Sequence, residues 1–186
     1  RFGGGVDTGR TVEDSCFIVD NPGYTTATAP QLLTSIDSQA ICRVVTPMAG
    51  NTQVKLNGSY PLPAGFVVAA TFQNVPGIPW LATYTATSAE IAPSLGRSLS
   101  GGTRSAAAPL LMPNTIREPR RTQVDLRFSK NFQLASQRRL QANFDLYNLS
   151  NASPILGQNN NFGSKWLQPT QILGGRLLQF SGTLTF

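Results

Sequence analysis

The sequence offers few side chains that could carry out acid–base or nucleophilic chemistry. It contains no histidine, the most frequent general base and metal ligand, so its serines lack the usual activating partner. Asp125 and Asp145 occupy similar positions on two predicted neighbouring strands, and paired carboxylates can serve as acid and base. Without a pocket that perturbs them, we interpret both as polar surface residues balanced by Arg127 and other cations. The sequence therefore predicts no enzyme, no metal site and no cofactor.

The two cysteines point to covalent rather than catalytic chemistry. Cys16 and Cys42 lie in a polar, turn-rich stretch, and their wide spacing is unlike that of a zinc-binding pair. An even number of cysteines in such a loop predicts one disulfide, formed in an oxidising compartment. A reduced, buried pair is the alternative.

The positive charge of the chain is dispersed. Fifteen Lys and Arg against nine Asp and Glu give a formal charge of +6, which would permit contact with nucleic acid or an anionic membrane. The densest groups are Arg117, Arg120 and Arg121 and the pair Arg138 and Arg139, and no basic helix or aromatic RNA-binding signature accompanies them. We therefore predict that nucleic acid is not a partner.

Five segments alternate between apolar and polar residues with the period of a β-strand, near 51–60, 66–75, 121–132, 140–149 and 176–186. In the last segment Leu178, Phe180, Leu184 and Phe186 fall on one side, whereas the residues between them are neutral and polar. Residues 1–6 read as the tail of a sixth strand. A strand of about 10 residues with this pattern can cross a bilayer, although the edge strand of a soluble β-sandwich is the alternative.

The connections between these strands alternate in length. Long segments cover 7–50, 76–120 and 150–175, whereas short turns near 61–65 and 133–139 close hairpins. Transmembrane barrels place short turns on the periplasmic rim and long loops outside, and a sandwich has no reason to segregate them. No run of 18 apolar residues predicts a membrane-spanning helix. We therefore predict an all-β fold, an antiparallel meander of transmembrane strands that forms part of a barrel.

This topology assigns the two faces of the sheet. The side opposite the apolar residues carries polar and charged residues in mid-strand, which suits a lumen: Lys55, Asp125, Arg127, Asn143, Asp145 and Tyr147. Lys130 falls on the apolar side near a strand end, where a long side chain can reach the membrane interface.

Three segments also resemble a known family. Residues 124–132, 140–149 and 166–176, followed by the terminal Phe186, resemble the C-terminal barrel region of TonB-dependent outer-membrane receptors, with the closest likeness to the Oar-like group. Members of that group usually carry a carboxypeptidase-regulatory-like domain at the N-terminus. The resemblance implies that residues 1–186 are the C-terminal part of a barrel of about 22 strands with a plugged lumen, in the outer membrane of a Gram-negative bacterium. Because the chain opens at Arg1 in mid-pattern, we expect it to be a piece of a longer protein.

The resemblance also implies partners. The longer protein, here called the parent, would take up or bind a large, unidentified ligand at the cell surface with energy from the TonB complex. It would contact that complex through a plug domain that this chain lacks. The barrel would contact outer-membrane lipid. The barrel-assembly machinery would read the last strand through Leu178, Phe180, Leu184 and Phe186.

Aromatic residues in the long segments are candidates for ligand contact. Trp80, Tyr84 and Trp166 are suited to stacking on a ligand, although loop aromatics as often pack on their own loop or lie at the membrane interface. The alternative function is a non-enzymatic surface β-domain, adhesin-like, whose loops bind glycans. A hydrolase is disfavoured by the absence of histidine.

Overall fold

The computed structural model of the protein describes residues 1–14, 16, 42–134 and 138–186. Strands dominate, and the helices are short. In chain order the elements are β1 (Phe2–Asp7), β2 (Thr11–Asp14), β3 (Arg43–Thr46), α1 (Met48–Asn51), β4 (Gln53–Leu62), β5 (Phe66–Val75), β6 (Thr83–Thr87), α2 (Ser88–Leu95), β7 (Ser105–Pro109), β8 (Arg121–Gln133), β9 (Arg139–Tyr147), β10 (Ile155–Gln158), β11 (Pro169–Ile172) and β12 (Leu177–Thr185).

Six strands form one antiparallel sheet in the order β1–β4–β5–β8–β9–β12, which is their order along the chain. The predicted all-β class, the antiparallel meander and the five strands are confirmed, with ends that differ from the predicted ones by at most two residues. Residues 2–7 form the sixth strand, which was predicted from its tail. Strands β1 and β12 are the two edges of the sheet.

The register places the alternating residues of all strands on common faces. Gly58 pairs with Ala70, Ala70 with Leu126, Leu126 with Leu146 and Leu146 with Leu178. The next row along the strands joins five larger apolar residues: Tyr60, Val68, Phe128, Phe144 and Phe180. We call the side formed by these rows the apolar face, and the opposite side, which carries Arg127 and Asp145, the polar face.

The short connections lie at one end of the sheet, together with the end of β12. A tight turn at Pro63–Gly65 joins β4 to β5, with Ala64 and Gly65 at φ angles of 61° and 76°. A β-carbon at Gly65 would approach the carbonyl oxygen of Asn131 to 3.0 Å, so glycine suits both the backbone angle and the space. We call this end the short-turn rim.

The long connections at the opposite end are more ordered than the sequence predicts. The first contains the hairpin of β2 and β3. The apolar pairs at 18–19, 32–33 and 44–45 in the sequence predict short strands or turns in this connection; the last pair lies in β3, and the other two lie outside the described residues. The second contains β6 paired with β7, with α2 between them, and the third contains β10 paired with β11. We call residues 42–52, 76–120 and 148–176 together the loop cap.

Helix α2 begins with a reciprocal cap that was not predicted. The Thr87 hydroxyl accepts a bond from the Glu90 amide at 3.3 Å, and the Glu90 carboxylate accepts one from the Thr87 amide at 2.7 Å. The helix ends before Gly96, whose φ of 71° is left-handed. These contacts fix a helix of eight residues inside a segment that otherwise forms a hairpin.

Candidate functional site

The apolar face is exposed. Phe128, Phe144 and Phe180 form a row across β8, β9 and β12, with ring centroids 6.4 and 5.0 Å apart. Phe180 at the middle of the edge strand is 80 % exposed, and Phe2 at the other edge is 81 % exposed. Between Gly58 and Ala70 the small side chains leave a shallow hollow of about 610 Å³ in this face. The sheet thus presents its largest hydrophobic side chains outward on one side.

The polar face contains the most buried charge of the described chain. Asp145 lies directly opposite Arg127, whose Nε and Nη2 donate to the two carboxylate oxygens at 2.5 and 2.9 Å. The Asp145 side chain is 3 % exposed, whereas that of Arg127 is 49 % exposed. Such a two-pronged pair is strong and directional, and it fixes both planar groups against each other.

Asp125 has different partners from Asp145. It accepts bonds from the Thr71 hydroxyl, the Gln123 amide and the backbone amide of Asn148, at 2.8 to 3.3 Å. The two carboxylates lie two residues apart in register, and each is bound to its own donors. They therefore show no shared-proton arrangement of the kind that paired catalytic acids use.

A chain of neutral groups lies beside the charged pair. Ser129 donates to the Asn143 side-chain oxygen at 2.7 Å, and the Asn143 amide donates to the Ser181 hydroxyl at 3.3 Å. Tyr147 lines a hollow of about 330 Å³ with Arg127, Asp125 and Asp145, and the exposed Lys55 lies farther along the same face. All six residues predicted to share the polar face do so. Their orientation toward a lumen stays a prediction.

Asn148 is a residue that the sequence analysis did not identify. It is 3 % exposed, has a left-handed φ of 52°, and donates from its side chain to the carbonyl oxygens of Ala152 and Gly174 at 2.8 and 2.9 Å. It joins the end of β9 to both ends of the third long connection. The available signal was an asparagine directly after a strand, since asparagine tolerates the left-handed region.

Arg120 joins the first long connection to the sheet. Its guanidinium donates to the carbonyl oxygens of Ala49 and Thr52 at 3.2 and 2.7 Å and to the Asn74 side chain at 2.7 Å. The sequence alone shows Arg120 only as one of a group of neighbouring positive residues. Because these acceptors are distant in sequence, local patterns did not reveal this role.

Aromatic side chains join the second and third connections of the loop cap. The rings of Trp80 and Trp166 meet edge to face with centroids 6.3 Å apart, and Phe162 packs on Trp166 at 5.6 Å. Both indole N–H groups donate within the protein, to Glu118 and to the Leu81 carbonyl oxygen. This packing matches the alternative stated for these residues, in which loop aromatics hold their own loops together. Ligand contact by Trp80 or Trp166 stays a prediction.

Tyr84 contacts the helix cap instead of the aromatic cluster. Its hydroxyl donates to Glu90 at 2.9 Å, and this bond together with the negative charge of Glu90 raises the pKa of Tyr84. The bonds that Glu90 accepts from the backbone and side chain of Thr87, and then from Tyr84, lower the pKa of Glu90. Both groups are exposed to solvent, so Tyr84 remains accessible on the surface of the loop cap.

The disulfide is confirmed. Cys16 and Cys42 are bonded, with their Cα atoms 4.7 Å apart, which lies within the usual range for disulfides. The segment between them, 17–41, lies outside the described residues. The bond closes the first long connection next to the β2–β3 hairpin, and the oxidising compartment it implies stays a prediction.

The two faces and the loop cap are the features of the described residues to which a function can be assigned. Within the described residues no helix is long and apolar enough to cross a membrane. In the same part of the chain, no three Cys, Asp or Glu side chains cluster so that they could hold a metal ion. A scan against protein-family models finds no match, and comparisons with curated proteins and with solved structures likewise give none.

Proposed function

We propose that the chain forms part of the wall of a β-barrel in the outer membrane of a Gram-negative bacterium. Its apolar face would contact lipid and its polar face would line the lumen. The observation that carries this proposal is the inverted burial of the sheet: Asp145 is buried on one face, whereas Phe180 is 80 % exposed on the other.

The free energy that would be gained by covering the apolar face is large. Ten apolar side chains on that face of the six strands are exposed: Phe2, Val6, Tyr60, Leu62, Phe66, Phe128, Phe132, Leu178, Phe180 and Leu184. Covering each of them contributes about 1–2 kcal/mol, so the face as a whole represents on the order of 10–20 kcal/mol. Since a domain is typically stable by about 5–15 kcal/mol, this face requires a partner.

Lipid is the partner that fits the rest of the architecture. In the six-stranded sheet, the five strands that follow β1 are 9 to 13 residues long, which is close to the length that crosses a bilayer at the tilt of barrel strands. The short turns lie on one rim and the ordered loop cap on the other, as in outer-membrane barrels. A charged and hydrogen-bonded opposite face suits an aqueous or plugged interior.

The parent is proposed to be a TonB-dependent receptor that takes up or binds a large ligand. The support for this narrower class is the resemblance of residues 124–132, 140–149 and 166–176 to the C-terminal barrel region of that family. The loop cap would then lie at the cell surface, and contact with the TonB complex would require a plug domain outside this chain. The alternative is the adhesin-like surface domain, in which another protein segment covers the apolar face.

Neighbouring cysteine substitutions on the two faces test the membrane location. Phe144→Cys and Phe180→Cys place a thiol on the apolar face, whereas Asn143→Cys and Ser181→Cys place one on the polar face. The native cysteines are oxidised and do not compete for label. In the protein expressed from its own gene and embedded in outer membrane, the first pair should react with a lipid-soluble maleimide and resist a water-soluble one.

The polar-face pair should show the reverse selectivity. Reaction of all four variants with the water-soluble reagent alone would refute the membrane location and favour the surface domain. The receptor class needs its own test: a photo-crosslinker on the periplasmic part of TonB should capture the membrane-embedded protein. Membrane embedding without capture would retain the barrel and reject the receptor.

A further inference from the structure

The apolar face contains a single charged side chain within the six described strands of the sheet. Lys130 lies in β8 one row from the short-turn rim, between Phe66 on β5 and Ala142 on β9. Every other Lys, Arg, Asp and Glu of these strands projects to the polar face or stands at a strand end. A charge in this position is costly in a hydrocarbon environment unless it reaches polar groups.

The surroundings of Lys130 hold its ammonium group at the rim. The Nζ atom donates to the carbonyl oxygen of Ala64 in the tight turn. It also lies 4.1 Å from the centroid of the Phe66 ring and 5.7 Å from that of Phe132. Cation–ring contacts of this length are attractive, but none of these groups carries a negative charge. One of the three ammonium N–H groups is used by Ala64, so donors remain for an anion.

Small residues continue the row of Lys130 on the side away from β5. In the same row of the sheet, Ala142 follows on β9 and Gly182 on β12, whereas larger side chains flank the row on both sides. The flanking rows contain Phe128, Phe144 and Phe180 toward the middle of the sheet and Phe132, Leu140 and Leu184 toward the rim. This row of small residues between two rows of larger apolar side chains begins at Lys130, and we call it the apolar channel.

We propose that Lys130 binds the phosphate of an anionic phospholipid in the leaflet at the short-turn rim. The lone cation matches the charge of the headgroup phosphate, and the channel over Ala142 and Gly182 accepts part of an acyl chain. A soluble anion would gain nothing from the apolar channel, which is why a lipid is the occupant. The inference rests on the proposed membrane location of the apolar face.

Competition between two lipids tests this site. The protein, expressed from its own gene, is reconstituted in vesicles of equimolar phosphatidylglycerol and phosphatidylcholine. After extraction in a mild detergent, the lipids that remain bound are counted by native mass spectrometry. We expect the wild type to retain phosphatidylglycerol about fivefold over phosphatidylcholine, the order of magnitude for one cation at an anionic surface.

Three variants separate the site from the total charge. Lys130→Gln should bring the ratio close to one, and Lys130→Arg should keep the preference because the charge remains. Arg139→Gln removes the same charge at the same rim from the polar face, where Arg139 pairs with Gln133 and Thr185, and should leave the ratio unchanged. Added inorganic phosphate at millimolar concentration should not displace the lipid.

The outcomes distinguish this site from the proposed function. If the protein enters vesicles but retains both lipids equally, or if Arg139→Gln and Lys130→Gln have the same effect, the lipid site is rejected and the membrane location stands. Displacement by inorganic phosphate would show a site for a free anion instead. If no variant enters vesicles, the membrane location itself is rejected, and the lipid site with it.

Discussion

The ion pair on the polar face should contribute far more to stability than a surface pair of the same chemistry. With charge centres about 4 Å apart, Arg127 and Asp145 would attract by about 4 kcal/mol at an effective dielectric constant of 20. The half-exposed guanidinium weakens this attraction, and fully exposed pairs contribute below about 1 kcal/mol. We therefore expect a coupling free energy of about 2 kcal/mol between the two side chains.

The two single substitutions should differ. Arg127→Gln leaves a carboxylate that is 3 % exposed without its partner, and should lower the free energy of unfolding by about 3 kcal/mol. Asp145→Asn leaves a guanidinium that can still reach water, and should cost about 1–2 kcal/mol. The unequal burial of the two partners thus predicts which substitution is worse.

A double-mutant cycle measured by urea unfolding in detergent micelles checks this reasoning. The chain provides an internal control in Arg43 and Asp14, whose side chains are 60 % and 53 % exposed and whose closest charged atoms are 3.7 Å apart. The cycle for the control pair should give below about 1 kcal/mol. Equal coupling in the two cycles would show that burial on the polar face does not strengthen the pair.

Three further changes have defined outcomes. In the proposed outer-membrane barrel, Phe180→Arg should lower outer-membrane levels of the protein far more than Thr183→Arg on the polar face, because a charge in lipid near the midplane costs about 2–4 kcal/mol. Equal levels in membrane fractions would contradict the proposed assignment of faces. The start of helix α2 should lose protection from hydrogen exchange as pH falls through the folded pKa of Glu90. A carboxylate whose pKa is lowered by folding stabilises the folded state above its ordinary pKa, and this stabilisation disappears as the carboxylate is protonated. Glu90→Gln should abolish this pH dependence. Gly77→Ala should destabilise the loop cap, because the added β-carbon would collide with the Glu118 carbonyl oxygen, whereas the β-carbon added by Gly9→Ala meets open space. Equal melting temperatures for the two variants would refute the close approach.

The sequence predicted the sheet because the relevant information is local. Alternation with a period of two defines each strand and its faces, and proline and glycine mark the turn at Pro63–Gly65. Antiparallel pairing then follows from short connections, so the order of β4 and β5 and of β8 and β9 required no long-range knowledge. The disulfide could also be predicted from the sequence, because a chain with two cysteines allows only one pairing.

The loop cap was not predicted because its contacts are distant in sequence. Trp166 donates to the Leu81 carbonyl oxygen across 85 residues, and Arg120 reaches Ala49 across 71. No periodicity records such contacts. Helix α2 is a different case: Thr87 followed three residues later by Glu90 is a capping box, but Pro93 inside the helix and the surrounding strands obscured it.

The polar contacts have a role that the apolar face cannot fill. A slip of one residue between β8 and β9 would bring apolar side chains onto the polar face, so the alternation itself opposes it. A slip of two residues keeps every side chain on its face, and in the proposed membrane location lipid would cover the apolar residues equally well in either register. The polar face does discriminate: in one such slip Asp145 would lie opposite Asp125 and Arg127 opposite Asn143, which leaves a buried carboxylate facing another carboxylate. Where lipid is the solvent for one face, the charges on the other face therefore specify the pairing of the strands.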